Sequence, residues 1–268
     1  MQELEIYEVF PTMQPHDSLY AGSFDSNDYP YKPAPPVRCN YYSAFFIQRG
    51  QGFLVVDNYE YEVKPNRIFL FNDRQVIGWS YYEDTVGLVV AFTAPVALEL
   101  SIWFDKPYID ITDSEAALFT PIFLHCISEF RKSDPVSSTI LRAAIRYLAA
   151  LCSRNAGAPD IHDKTITAFR NRVCTHFASI STVDQLAAAL HTSPKDLTEK
   201  TQGAIGMTAK QYLLELKLTE AKRLLVFTPL TAAEICYETG FEDPSYFSRF
   251  FRKKTGLTPT AYRQKYQR

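Results

Sequence analysis

No C-x-x-C pair occurs among the five cysteines, Cys39, Cys126, Cys152, Cys174 and Cys236. Their odd number and wide scatter exclude a zinc knuckle, a thioredoxin-type pair and a disulfide scaffold. Isolated cysteines of this kind read as small apolar residues in a reducing compartment. Histidine is sparse as well: His16, His125, His162, His176 and His191 are the five, none between residues 41 and 93, and no H-x-H occurs. A G-x-S-x-G elbow, a P-loop and a dinucleotide-binding glycine fingerprint are all missing. Neither an enzyme nor a bound cofactor or metal is therefore expected. Long apolar runs are also lacking. The longest, 86–100, is broken by Gly87, Thr93, Pro95 and Glu99, and a spanning helix needs about 20 apolar residues. The start, MQELEIYEVF, carries acids instead of the basic residues of a signal peptide,. A cytoplasmic protein with no membrane partner is expected.

What is present is ordinary in bulk and uneven in distribution. The chain has 268 residues, 46% hydrophobic and 22% charged. That is a globular composition, long enough for one large or two medium domains. Its net charge of -2 averages two opposed regions. Residues 1–164 hold 13 basic and 21 acidic side chains, whereas 165–268 hold 15 basic and 9 acidic. Past Asp243 no acid remains, while Arg249, Arg252, Lys253, Lys254, Arg263, Lys265 and Arg268 follow. A basic half suggests a polyanionic partner, although a solvated helical face has the same charge.

The pattern of elements changes along the chain and points to an α+β protein. Between 41 and 93, runs rich in aromatic and β-branched residues (42–48, 53–57, 59–63, 68–71, 76–82 and 86–93) alternate with turn residues,. The turns include Gly50-Gln51-Gly52, Asp57-Asn58, Pro65-Asn66 and Asn72-Asp73. Short strands with tight turns predict an antiparallel barrel or sandwich. Residues 29–36, with four prolines, read as an extended lead-in,. From Thr112 the period becomes helical. Thr112 and Glu115 have capping-box spacing, and Leu118, Phe119, Ile122, Phe123, Cys126, Ile127 and Phe130 form a stripe,. Pro121 interrupts it, so the regular helix is expected from about Thr120. A second helix is expected over 137–154. The polar stretch 155–163 (NAGAPDIHD) reads as the domain boundary,.

The last hundred residues repeat themselves. At an offset of 50, Pro194 meets Pro244, Leu197 meets Phe247, Gly206 meets Gly256, Thr208 meets Thr258 and Tyr212 meets Tyr262. Thr182 and Gln185 resemble Thr231 and Glu234 at an offset of 49. Two copies are too few for a solenoid and read as a duplicated motif. Each copy opens with capping-box spacing. Gly240 supplies a positive φ for a tight turn in the second copy. Ser193 and Asp243 are natural N-caps before prolines at the first helical position. Helix, short turn, helix is the helix-turn-helix arrangement, whose second helix enters the major groove. The stretch 208–227 between the copies has no glycine or proline. As a helix it would span about 30 Å, near the roughly 34 Å separating successive major grooves on one side of a duplex.

The residues Ala221-Lys-Arg-Leu-Leu225, Ala233-Glu-Ile-Cys-Tyr237, Gly240-Phe-Glu-Asp-Pro-Ser-Tyr-Phe-Ser-Arg-Phe-Phe-Arg252, Gly256-Leu-Thr-Pro259 and Tyr262-Arg263 resemble the signature of the AraC/XylS family of bacterial transcription regulators. The resemblance covers about 165–268. The remainder resembles the family's cupin-like sensor barrel, through F-x-I-x-x-G-x-G (Phe45 to Gly52) and the segment Val86-Gly-Leu-Val-Val-Ala-Phe-Thr93. The resemblance implies a cupin-like sensor barrel at 1–110, linker and dimerisation helices at 111–163, and a double helix-turn-helix DNA-binding domain at 164–268. It also implies double-stranded promoter DNA as partner, RNA polymerase beside it, a homodimer, and a small organic effector.

By the resemblance, the second helix-turn-helix reads bases with Ser245, Tyr246 and Arg249, while Ser248, Arg252 and Lys253 lie towards the DNA backbone. Arg249 suits a bidentate guanine contact. Phe247, Phe250 and Phe251 fit a core stripe better than a stacking surface. In the first copy the contacts fall on Lys195, Asp196, Thr198, Glu199 and Lys200. Glu199 departs from the family pattern, standing where the second copy has Arg249. A carboxylate can accept a hydrogen bond from cytosine N4; alternatively, the first motif only positions the domain. Arg38, Tyr42, Phe46, Gln48, Trp79 and Tyr81 are candidate lining residues of an effector pocket, against the alternative of a filled barrel with no effector. The competing reading of the whole chain is a non-catalytic cupin protein whose basic C-terminal bundle docks a protein partner.

Overall fold

Strand β3 (Tyr42–Arg49) is buried from Tyr42 to Ile47 without alternation, because it is covered on both faces. Tyr42, Ala44 and Phe46 join one core cluster, while Phe45 and Ile47 join another. In the computed structural model β3 is the middle of a five-stranded antiparallel sheet ordered β1 (Leu19–Asp25), β8 (Val86–Phe92), β3, β6 (Arg67–Phe71), β9 (Tyr108–Asp110). A second antiparallel sheet runs β2 (Val37–Arg38), β7 (Val76–Tyr81), β4 (Gly52–Val56), β5 (Tyr59–Val63). The structure describes residues 18–25, 37–39, 41–57, 59–73, 75–81, 84–132, 134–156, 164–180 and 182–266. The proline-rich stretch 29–36 and most of the expected linker at 155–163 lie outside them. The chain divides into two compact units, Met1–His162 and Asp163–Arg268.

The first unit has three layers. Phe45, Ile47, Phe69 and Phe71 of the larger sheet meet Leu54, Val56, Val63 and Ile77 of the smaller one. The opposite face of the larger sheet packs on helices α2 (Asp113–Lys132) and α3 (Ser137–Asn155) through Phe119, Phe123, Cys126, Leu141, Ile145 and Leu148. Among the described residues the two sheets share no hydrogen-bonded strand pair. The strands therefore form two open layers and not the closed barrel expected from the family resemblance. The α+β class and the antiparallel pairing stand as expected.

Strands β1 and β9 and the short helix α1 (Ala94–Glu99) carried no signal in the sequence reading. Strand β1 contains Gly22, a weak strand former, and a Cβ there would lie 2.3 Å from the Tyr20 hydroxyl. The tyrosine ring folds over the glycine and fills its place. Strand β9 is anchored by an ion pair: Arg67 Nε and Nη2 donate to Asp110 Oδ1 and Oδ2 at 2.7 and 2.8 Å. The same guanidinium donates to the Glu62 carbonyl at 2.6 Å and lies 3.9 Å from the Tyr108 ring centroid.

Helix α2 begins at the expected capping box, with Thr112 N donating to Glu115 Oε2 at 2.7 Å and Glu115 N to Thr112 Oγ1 at 3.3 Å. It does not wait for Thr120. The helix runs continuously through Pro121. Proline removes one backbone donor and crowds the preceding turn, which costs about 3 kcal/mol. The burial of Phe119, Phe123, Cys126 and Ile127 on the sheet outweighs that loss,. All five cysteines are buried, and burial pushes the Cys39, Cys126 and Cys152 thiols up to about 12.

The second unit is helical: α4 (Lys164–His176), α5 (Val183–Ala189), α6 (Pro194–Ile205), α7 (Ala209–Phe227), α8 (Ala232–Glu238), α9 (Pro244–Thr255) and α10 (Pro259–Tyr266). Helix α7 serves two cores. Ala209 and Leu213 join Phe169, Val173, Leu186 and Leu197. Leu218, Ala221 and Leu225 join Ile235, Phe241, Phe247, Phe251 and Tyr262. Its 19 residues span about 28 Å,. The repeated Thr208 and Thr258 both cap helices: Gln211 N donates to Thr208 Oγ1 and Ala261 N to Thr258 Oγ1, each at 3.2 Å.

Candidate nucleic-acid interface

Each copy of the repeat builds the same local device. In the first, Gln185 N donates to Thr182 Oγ1 at 3.2 Å and starts α5. Ser193 Oγ accepts from Asp196 N at 3.0 Å and starts α6, with Pro194 at its first position. In the second, Glu234 N donates to Thr231 Oγ1 at 3.2 Å and starts α8. Asp243 Oδ1 accepts from Ser245 N at 2.7 Å and starts α9 behind Pro244. Gly206 and Gly256 end α6 and α9 in the left-handed conformation, with φ of 75° and 77°. The start, turn and stop residues read from the sequence all take those parts.

Helix α9 has two faces. Phe247 and Phe251 are fully buried. Ser245, Tyr246, Arg249, Arg252 and Lys253 are exposed, and Ser248 is half-buried. The exposed positions recur at i, i+1, i+4, i+7 and i+8, which makes one stripe. Tyr246 is 47% exposed, and its ring stacks on Phe250 with centroids 6.3 Å apart. Phe250 thus supports the exposed Tyr246 ring from behind. Arg252, Lys253 and Lys254 occupy the last turn, where cations complement the helix dipole,.

Helix α6 presents a different surface. Leu197 and Thr201 are buried where α9 has Phe247 and Phe251. Lys195, Asp196, Glu199 and Lys200 are exposed, and Thr198 is half-buried. Lys195 Nζ lies 3.9 Å from Glu199 Oε1. Lys200 Nζ donates to Thr165 Oγ1 of α4 at 3.1 Å, so its amine leans back onto the bundle.

Three supports escaped the sequence reading. Lys217 of α7 is buried and donates to the Gly240 carbonyl at 2.8 Å, holding the turn before α9. Burial pulls its pKa below the ordinary lysine value, and Glu242 partly opposes that. Lys254 Nζ donates to Glu215 Oε1 at 2.5 Å and ties α9 to α7. Arg263 of α10 donates to the Leu225, Thr228 and Leu230 carbonyls and closes the C-terminal end of α7. Lys217 and Lys254 are marked by no sequence pattern, since charged residues on a helix read as solvated, and the signature that contains Arg263 gives it no part of its own.

Of the six candidate pocket residues, Tyr42 and Phe46 lie apart from Trp79. Tyr42 and Phe46 face the helical layer, and Phe46 packs 5.7 Å from the Phe123 ring. Trp79 faces the other way, between the sheets, 5.1 Å from Phe45 and 5.8 Å from Phe71. Gln48 is half-buried near the end of β3. The side chains of Arg38 and Tyr81 lie outside the described residues.

Comparison with known proteins agrees with this geometry. The family described as a helix-turn-helix domain matches residues 186–265. The HTH-type transcriptional activator RhaR of Salmonella dublin is 31% identical over 139 residues, covering 48% of this chain and 48% of its own. The C-terminal unit is an AraC-type helix-turn-helix domain. The RhaR of Salmonella typhi matches to the same extent. The chain thus spans about half the length of the curated relatives it matches. Among solved structures, the C-terminal domain of the response regulator yesN from Fusobacterium nucleatum is 30% identical. The match covers 38% of this chain and 99% of that one at a TM-score of 0.37. Fatty-acid-bound ToxT from Vibrio cholerae is 14% identical over 94% of this chain and 96% of its own, at a TM-score of 0.43. Within the AraC-type domain, α6 and α9 are the second helices of the two motifs, and their outward residues are the ones described above.

Proposed function

We propose that this chain is a transcription regulator that binds promoter DNA through both helix-turn-helix motifs of its AraC-type domain. The observation that carries this reading is the exposed stripe of α9, where Ser245, Tyr246, Arg249, Arg252 and Lys253 share one face with no acid among them. Arg249 takes a guanine through O6 and N7, and Arg252 and Lys253 hold phosphates. Helix α7 spaces the two reading helices for successive major-groove faces,. The test is fluorescence anisotropy of the full chain on its own upstream DNA, with salt titrated and Arg249→Ala run alongside. A steep salt slope with discrimination lost in the variant supports the reading. Weak binding indifferent to Arg249 overturns it.

The first unit acts as sensor and dimeriser in this proposal. Its helices expose the apolar side chains Leu118, Leu124 and Tyr147, which a second copy would cover. Light scattering that returns a monomer at micromolar concentration overturns the homodimer. A small organic effector and RNA polymerase are the remaining partners, and the chain works in the cytoplasm without catalysis or cofactor. No helix among the described residues is long and apolar enough to cross a membrane.

A further inference from the structure

Glu199 occupies the place of Arg249 one repeat earlier, on the outward face of the first reading helix. Its side chain is 66% exposed and that of Lys195 is 83% exposed. The two lie one helical turn apart, with Lys195 Nζ 3.9 Å from Glu199 Oε1. We propose that this pair reads a cytosine–guanine base pair, so that the two half-sites of the operator differ in kind. The inference rests on the DNA-binding reading above.

An ionised carboxylate only accepts hydrogen bonds. In the major groove only two base groups donate, cytosine N4 and adenine N6. Adenine sets its N7 acceptor beside N6, and that lone pair repels a carboxylate. Cytosine has no acceptor on that flank. Its guanine partner offers O6 and N7 to a cation, which is what Lys195 supplies. An acceptor beside a donor therefore complements the C·G edge better than the A·T edge. The lysine has a second effect. A bare carboxylate entering a groove lined by phosphates is repelled, whereas one already paired with an ammonium carries little net charge. Helix α9 works differently. It has donors and cations only at Arg249, Arg252 and Lys253, so it supplies affinity as well as a guanine contact. Helix α6, with two exposed bases and two exposed acids, supplies discrimination and little affinity.

The test selects bound duplexes from a randomised pool with the full chain, and repeats the selection with Glu199→Gln and with Arg249→Ala. Glutamine keeps the size of the side chain and adds a donor, which suits adenine N6 and N7. The expected result is one cytosine, about one helical turn from the guanine lost in Arg249→Ala, that becomes adenine in Glu199→Gln. Exchanging that C·G pair for A·T in the selected site should weaken the parent chain about tenfold and strengthen the variant. Identical selected sites for the parent and Glu199→Gln, with the Arg249 position still sensitive, overturn this inference alone. A parent chain that enriches no sequence overturns the DNA-binding reading and this inference with it.

Discussion

His191 and Gly240 occupy the same place in the two helix-turn-helix motifs, and both are left-handed, with φ of 51° and 71°. The turn demands that conformation in each copy, but the surroundings differ. A Cβ at Gly240 would lie 2.2 Å from the Ala178 carbonyl oxygen. His191 already has its Cβ and is exposed, so it bears only the strain of a side chain in the left-handed region, about 1–2 kcal/mol. Gly240→Ala adds a backbone collision to that strain and should destabilise by more than about 2 kcal/mol. His191→Gly should stabilise by about 0.5 kcal/mol, because relief of strain exceeds the entropy glycine adds to the unfolded chain. Thermal unfolding of the two variants beside the parent checks both signs.

The outward residues of α9 should separate into two classes in DNA binding. Arg249→Ala should remove about 1–3 kcal/mol of preference at a single base pair. Arg252→Ala and Lys253→Ala should weaken binding evenly across sequences, each lowering the salt slope by about one counterion. Binding isotherms on a selected site and on a scrambled duplex, at several salt concentrations, measure both quantities. Equal loss on both duplexes for Arg249→Ala would remove it from base reading.

The repeat was legible because it is written in residues whose part is local. A threonine three residues before Gln185 or Glu234, a proline after Ser193 or Asp243 and a glycine at 206 or 256 each fix one turn of backbone with no help from distant chain. The direction of β3 was not legible in the same way. Alternation identifies a strand's faces only when one of them is wet, and here Tyr42 and Phe46 are as buried as Phe45 and Ile47. Assigning Tyr42, Phe46 and Trp79 to one pocket therefore joined residues from opposite sides of the larger sheet, Trp79 reaching its inner side from the smaller one. Charged supports were invisible for the opposite reason. Arg67 and Lys217 read as surface residues until their partners, Asp110 and the Gly240 carbonyl, are brought to them by the fold.

Pro121 tests how far packing overrides local preference. It lies in mid-helix on the exposed side of α2. Pro121→Ala restores a backbone donor and removes the ring from the preceding turn without disturbing Phe119 or Phe123. The variant should gain about 1–3 kcal/mol in stability. Chemical denaturation with an unchanged slope and a higher midpoint is the expected result. A lower midpoint would mean that the ring packs against something α2 needs.

Asp110 should make the first unit sensitive to acid. Hydrogen bonding to the Arg67 guanidinium, helped by Lys64 at 3.3 Å, holds its pKa below the ordinary 3.8. A carboxyl group with a depressed folded pKa adds stability that is complete above its unfolded pKa. That stability is lost as pH falls below about 3.8 through the folded value. The carboxylate is 45% exposed, which screens the pair,. The guanidinium is not screened in the same way: it is 7% exposed and is left without its main partner when the acid is removed. Asp110→Asn should therefore destabilise by about 1–2 kcal/mol at pH 7, mostly through the stranded Arg67. At pH 3, below the ordinary 3.8, the gap between parent and variant should narrow, because the unfolded parent takes up a proton that the folded carboxylate resists,. Unfolding temperatures of both proteins between pH 7 and pH 3 measure the gap. A constant difference across that range would mean that the ionisation of Asp110 contributes nothing to stability.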